Sequence, residues 1–124
     1  MKTTKDLFIP YDLAVELDKV NFKTAFFGFY NNKHEIDFEI GVRGAPMWQQ
    51  VFDWFTDNHK MSGMVIQLPT DNGLMGYRGF AHYLNGQKVE LNRCNALDEA
   101  KYEVVSFMIF VLYIRNRPIV NNLA

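Results

Sequence analysis

Apolar residues recur at helical spacing, every three or four positions, in some parts of this chain and at every second position, as in a strand, in others. Each change of spacing marks a new element. After Pro10, apolar residues recur at helical intervals (Leu13, Leu17, Val20), which predicts a short first helix. The aromatic-rich stretch 22–30 is typical of a strand, and 31–34 (NNKH) of a turn. The stretch 35–42 alternates strictly, which predicts a hairpin whose second strand buries one face. That predicted face consists of Ile36, Phe38, Ile40 and Val42.

Residues 46–59 (PMWQQVFDWFTDNH) predict an amphipathic second helix. At 100° per residue, one arc of this helix is apolar and the opposite arc is polar. The expected core face consists of Trp48, Val51, Phe52 and Phe55. Met47 and Trp54 lie on the shoulder of that arc, so Trp54 is not explained by burial alone.

The second half of the chain predicts three strands and a final helix. The strands are expected at 64–68, 74–84 and 87–93, and Asn85-Gly86 is a strong two-residue hairpin signal. Asn95 is expected to cap a helix that runs to about Arg115, because Pro118 prevents a longer one. We therefore predict an α+β domain with the order α-β-β-α-β-β-β-α and a mainly antiparallel sheet of about five strands packed by three helices.

Composition narrows the class of protein. A chain of 124 residues fits one domain, 1–124, and its net charge of −1 gives no overall attraction to nucleic acid or membrane. The single cysteine, Cys94, excludes an internal disulfide. The charged start of the chain does not resemble a secretory signal, and the longest nearly apolar run, 104–114, is too short to span a bilayer. We expect a soluble cytoplasmic protein.

Three segments together resemble a family of small, uncharacterised proteins of bacteriophages and prophages of anaerobic gut bacteria. They are KDLFIPYDLAVELDKVNFKTAFFGFYN (5–31), PMWQQVFDWFTDNH (46–59) and ALDEAKYE (96–103). The resemblance implies a phage accessory protein that acts in the host cytoplasm, and it implies no activity. The chain departs from the family at VVSFMIFVLYI (104–114), where the family's closing helix is one-sided and charged.

This departure gives the main functional hypothesis. One face of the last helix supplies a complete core stripe, yet a second apolar stripe occupies the other side. We expect this stripe to bind a protein partner, as a homo-oligomer or on a host or viral protein. The expected contact residues are Tyr102, Ile109, Phe110 and Tyr113, with Trp54 as the next candidate. The alternative is a helix buried on all sides by its own fold.

A nucleic-acid-binding module is the alternative function. The motif RGFAHY (78–83) begins like the RNA-recognition signature, in which strand aromatics stack bases. The aromatic residues concerned are Tyr77, Phe80 and Tyr83. The match fails after Ala81, because His82 stands where an aromatic residue is expected, and the surrounding charge is not basic enough to attract a phosphate backbone. We therefore predict no tight binding of nucleic acid.

A small-molecule site or an enzyme is the third class. The three histidines, His34, His59 and His82, fall in three different predicted elements, and no nucleophile or phosphate-binding motif accompanies them. The acidic run in HEIDFE (34–39) is best explained as the solvated face of a strand. We expect no catalytic residue, no metal ligand and no cofactor.

Overall fold

Three α-helices and two three-stranded antiparallel sheets make up the protein in a computed structural model, which describes residues 4–69, 75–83 and 86–116. The predicted α+β class is confirmed. A 3-10 turn (Thr4–Leu7) precedes the regular elements. These are α1 (Tyr11–Asp18), β1 (Gly28–Tyr30), β2 (Ile36–Asp37), β3 (Arg43–Ala45), α2 (Trp48–His59), β4 (Ser62–Leu68), β5 (Gly76–Tyr83), β6 (Gln87–Cys94) and α3 (Leu97–Asn116).

The first sheet has the order β2-β1-β3 and is separate from the second, whereas the sequence predicts one sheet of about five strands and no strand at Arg43–Ala45. The strand expected over 22–30 pairs only at Gly28–Tyr30. The segment before it is bound by Gln50 of α2, whose Nε2 donates to the Ala25 carbonyl at 2.6 Å. The Oε1 of Gln50 accepts from the Met47 N–H at 3.0 Å, at the start of α2. A side chain therefore satisfies one carbonyl, that of Ala25, which the prediction assigned to a strand.

The predicted hairpin around 31–34 is confirmed, because Tyr30 pairs with Ile36 and the Asn31 N–H donates to the Glu35 carbonyl. The predicted burial of its second strand holds in part at Ile36, which is half-buried against the core, and is wrong for the residues after it. Asp37 Oδ1 accepts from the N–H groups of Glu39 and Ile40, which ends β2 after two residues. The hydrogen bond from the Glu39 N–H has the larger effect and that from Ile40 the smaller, and both lower the pKa of the Asp37 carboxyl. Beyond them the chain turns outward, and Phe38, Ile40 and Val42 are exposed.

Helices α1 and α2 supply the core that the sequence predicts, with one exception. Leu13, Leu17 and Val20 are buried, as are Trp48, Val51 and Phe55. Phe52 is only half-buried, because it lies over the edge of the second sheet near Gly63. The α1 end of the core is joined to the first sheet by Tyr30, whose hydroxyl donates to the Ile9 carbonyl at 2.5 Å.

The second sheet has the order β4-β5-β6, and α3 packs across one of its faces. The three predicted strands are confirmed to within two residues at each described end. Gly86 has the positive φ of 85° that the predicted turn requires, whereas Asn85 lies outside the described residues. Cβ atoms at Gly63 and Gly79 would meet Val104 of α3, so both glycines let the helix approach the sheet closely. We call this the helix face, and the other side the open face.

No helix within 4–69, 75–83 and 86–116 has the length and apolar character needed to cross a bilayer.

The two tryptophans of α2 should differ sharply in their contribution to stability. Trp48 is buried, and Trp48→Ala should lower the free energy of unfolding by about 3–5 kcal/mol. Trp54 is half-buried, with its ring against Phe22 at 5.1 Å and Phe55 at 5.0 Å, so Trp54→Ala should cost less, roughly 2 kcal/mol. Urea unfolding followed by far-UV circular dichroism measures both values. Equal losses would contradict this description of α2.

Candidate interaction surface

The core-facing side of α3 includes four residues that the sequence predicts there, Ala100, Val104, Met108 and Leu112, all of them buried. Val105 and Ile109, which the prediction places on the other side, are buried as well. Phe107 and Val111, predicted in the core, are only half-buried, and Phe107 packs edge-on against Tyr83 with ring centroids 5.2 Å apart. The remaining side of α3 decides whether the helix needs a partner.

The predicted second stripe is divided by α1. Tyr102 is half-buried, and its hydroxyl donates to Asp12 Oδ2 at 2.6 Å. Ile109 is 7% exposed and packs into the protein's own core. The expectation that these two side chains need cover from outside is therefore wrong, because α1 already covers them. The sequence could not show this, since nothing in its spacing fixes where α1 lies.

The C-terminal half of α3 keeps an exposed apolar surface. Phe110 is 57% exposed and Tyr113 is 56% exposed, and Ile114 beside them is also exposed. We call these three residues the α3 surface. Ile114 was not among the predicted contact residues, although it lies about 40° from Phe110 on a helical projection. That proximity was the available signal.

Two grooves run along the α3 surface, one on each side of Phe110. The first lies between α1 and α3, has a volume of about 540 Å³ and has Leu13 and Ile109 in its lining. The second lies between α3 and β5, has a volume of about 370 Å³ and is lined by Tyr83 and Phe107 among others. Phe110 lines both grooves and so forms a ridge between them. A ridge flanked by two apolar grooves can interlock with a partner of similar shape.

Charge on the rim of the first groove is largely neutralised. Glu16 and Lys19 of the α1 end line this groove and form an ion pair, with Nζ and Oε1 3.0 Å apart. No net charge at this rim selects an acidic or a basic partner. An apolar partner suits the groove better than a charged peptide.

Trp54 lies away from the α3 surface. Its ring packs against Phe22, Phe55 and the imidazole of His59, the last at 4.6 Å. It lines a separate shallow pocket of about 500 Å³ that shares no lining residue with either groove. The structure therefore does not bring Trp54 together with the other predicted contact residues.

The three aromatics of the nucleic-acid hypothesis do not share one face. Tyr77 and Tyr83 have the odd position in β5 that Gly79 also has, so they lie on the helix face. Phe80 lies on the open face, where Lys88 Nζ is 5.4 Å from its ring centroid. The predicted three-residue stacking platform is not formed.

The histidines and the cysteine are dispersed. His34 has a left-handed backbone and stacks on Tyr11 with centroids 3.6 Å apart, and His82 is half-buried on the open face. Burial lowers the pKa of the His59 imidazole, and the positive charge of Arg115 lowers it further. Burial, with Glu103 and Glu99, raises the pKa of the Cys94 thiol. Within the described part of the chain, no three His, Cys, Asp or Glu side chains are grouped to hold a metal ion.

Sequence reasoning missed a second exposed apolar region, at the irregular end of the first sheet. Phe27, Ile40 and Val42 are the most exposed of its side chains, with Ile40 at 76%. We call these the loop surface. The alternation of 35–42, which includes Ile40 and Val42, predicts burial, and the signal in the sequence against it is Asp37, an Asx-turn former within that stretch.

The contact between α1 and α3 predicts a measurable titration. The hydrogen bond to Asp12, assisted by burial, raises the pKa of Tyr102 to about 12. Because the raised pKa belongs to the folded state, this contribution to stability is complete below the ordinary tyrosine pKa near 10 and is lost as pH rises towards 12. Spectrophotometric titration should show that Asp12→Asn lowers this pKa, with Tyr102→Phe identifying the signal. An unchanged titration in Asp12→Asn would contradict the contact.

No family model matches this chain, and neither a curated protein nor a solved structure does.

Proposed function

We propose that this chain is a non-enzymatic accessory protein of the phage type that acts in the host cytoplasm by binding a protein partner. The exposure of Phe110, Tyr113 and Ile114 on an otherwise well-packed helix is the observation that carries this proposal. A large exposed apolar patch on a protein of this size is most simply explained by a partner that covers it. The resemblance to phage proteins in three segments supports the cellular context.

The proposed binding mode is a helix laid along α3. Phe110 lines both grooves, so a partner helix placed in either groove covers one side of the ring. Aromatic anchors at the centre of such a contact each contribute about 2 kcal/mol or more to association. The partner's contact side is apolar, since the rim charges of the first groove pair with each other.

A second copy of this chain is the partner that we expect first. In a pair related by a two-fold axis, each Phe110 would enter the groove of the other copy, and the same residues would meet on both sides. The rim of the groove carries one acidic and one basic side chain, so two copies do not repel there. A homo-oligomer is therefore compatible with the surface as it stands.

Disrupting the α3 surface should separate the copies without unfolding them. The double change Phe110→Lys and Tyr113→Glu affects two side chains that are more than half exposed, so the fold should persist. Light scattering should show that the mass of the assembly in solution falls to half, because this contact is lost. Ile40→Lys is the control, because it charges an apolar residue on the loop surface that is even more exposed, at 76%, and should leave the mass unchanged.

Ile109→Glu tests the orientation of α3 at a buried residue, whereas the double variant tests it at exposed residues. Since Ile109 is buried, a carboxylate there should lower the melting temperature rather than change the mass alone. A folded, stable Ile109→Glu variant would show that the helix is not packed as described. A folded Phe110→Lys/Tyr113→Glu variant of unchanged mass would overturn the proposed site.

Nucleic-acid binding remains the second candidate function, on a different surface from the one predicted. On the open face of the second sheet, Lys88 lies over the ring of Phe80, and Arg78 shares that face two residues before it. Arg93 pairs with Arg78, and its guanidinium lies beside Gly76 rather than Phe80. Arg78 is partly neutralised by Glu90, whose Oε1 is 2.6 Å from its Nη1. One aromatic ring with one adjacent lysine is a weak platform compared with those that stack several bases.

We expect no submicromolar binding of single-stranded RNA or DNA at physiological salt. Fluorescence polarisation with both oligonucleotides tests this, with Tyr83→Phe as the control on the helix face. Tight binding that is lost in Phe80→Ala and retained in Tyr83→Phe would replace the protein-interaction proposal with this one.

A further inference from the structure

Strand β4 lies at the outside of the second sheet. It spans Ser62–Leu68 and pairs along its whole length with β5, from Ser62 opposite His82 to Leu68 opposite Gly76. On its other side no strand lies beside it within 4–69, 75–83 and 86–116. Such an edge leaves a row of backbone N–H and C=O groups free to pair with another strand.

The two outer strands of this sheet are protected very differently. Strand β6 carries Lys88, Glu90 and Arg93, and its pairing with β5 shifts register between Arg78 and Phe80. Charges and bulges of this kind discourage edge-to-edge pairing. Strand β4 reads SGMVIQL and has neither a charged residue nor a proline, and its pairing with β5 is regular throughout. The sheet is therefore closed to pairing at one edge and open at the other.

Side chains on β4 add an apolar reason for pairing. Met64 and Ile66 lie on the open face, at 50% and 37% exposure. On the helix face, Gly63 lies beneath Phe52 and Val104, and Val65 is half-buried against the core, so the first part of that side is covered, whereas Gln67 further along is exposed. A further strand would therefore pair with the outer edge of β4 and cover Met64 and Ile66.

We propose that β4 pairs with β4 of a second copy of this chain, antiparallel, about a two-fold axis at Val65. In this register Val65 faces its own counterpart, and Met64 of each copy lies opposite Ile66 of the other. Residues that share a face in one copy then share it in the pair, because even positions meet even positions. The two sheets would form one continuous sheet of six strands, with both open faces on the same side.

A second copy fits this edge better than an unrelated extended peptide. Each copy offers one open edge, β4, and one protected edge, β6, so pairing two copies through β4 leaves only the charged β6 edges at the outside of the joined sheet. The pairing uses no residue of the α3 surface, so the two interfaces are independent. Two different two-fold contacts on one chain would give assemblies larger than a dimer.

Charge substitution with rescue tests the register itself. Met64→Lys with Ile66→Lys places two lysines opposite two lysines, so this variant should lose the β4 contact. The mass of the assembly in solution should then fall to half of the wild-type value. Met64→Lys with Ile66→Glu places each lysine opposite a glutamate of the other copy, and this variant should keep the wild-type mass. Light scattering measures both masses, and circular dichroism shows whether each variant is folded.

The proposal is overturned if the wild-type protein is monomeric at about 100 µM, far above the dissociation constants of stable dimers. It is also overturned by a folded double-lysine variant of wild-type mass, or by a lysine–glutamate variant that stays separated. Amide exchange in the wild type needs no substitution, and protection along β4 should rise with protein concentration. Protection independent of concentration would also overturn it. The variant Phe110→Lys/Tyr113→Glu separates this result from the α3 proposal, because it should leave the β4 contact intact.

Discussion

The close approach of α3 to the second sheet sets the geometry on which the rest of the molecule depends. Val104 lies where a side chain at Gly63 or Gly79 would otherwise stand, and Ala81 is buried beside them. This depth of packing fixes the rotation of α3 about its axis. Rotation in turn decides that Met108 and Leu112 point inward and that Phe110 and Tyr113 point outward. The exposed surface is thus a consequence of three small residues in the strands beneath it.

The parts of the fold that the sequence predicted well are those governed by repeated spacing. The faces of α1 and α2 follow the helical period, and the turn signal Asn85-Gly86 divides two strands of the second sheet, so packing had little reason to override either prediction. The first sheet was predicted poorly, because single side chains decide it. One carboxylate, Asp37, and one amide, Gln50, bind backbone groups that would otherwise pair between strands.

The candidate site was half predictable for a related reason. The helical projection of α3 correctly identified a second apolar stripe, but the cover that α1 gives to Tyr102 and Ile109 is a tertiary contact between residues far apart in the chain. Equally exposed residues do not make equivalent sites, either. The loop surface belongs to irregular backbone, whereas the α3 surface and β4 present regular, repeated backbone to a partner.

The burial of Cys94 has a consequence for how association of this protein is to be interpreted. Its thiol is enclosed beside carboxylates that oppose ionisation, so the reactive thiolate is scarce at neutral pH. It is also the single cysteine of the chain. Covalent linkage between copies through sulfur is therefore disfavoured in air. Any assembly that persists without reductant reflects surfaces fitting together, and a cysteine introduced elsewhere would react without competition from the native one.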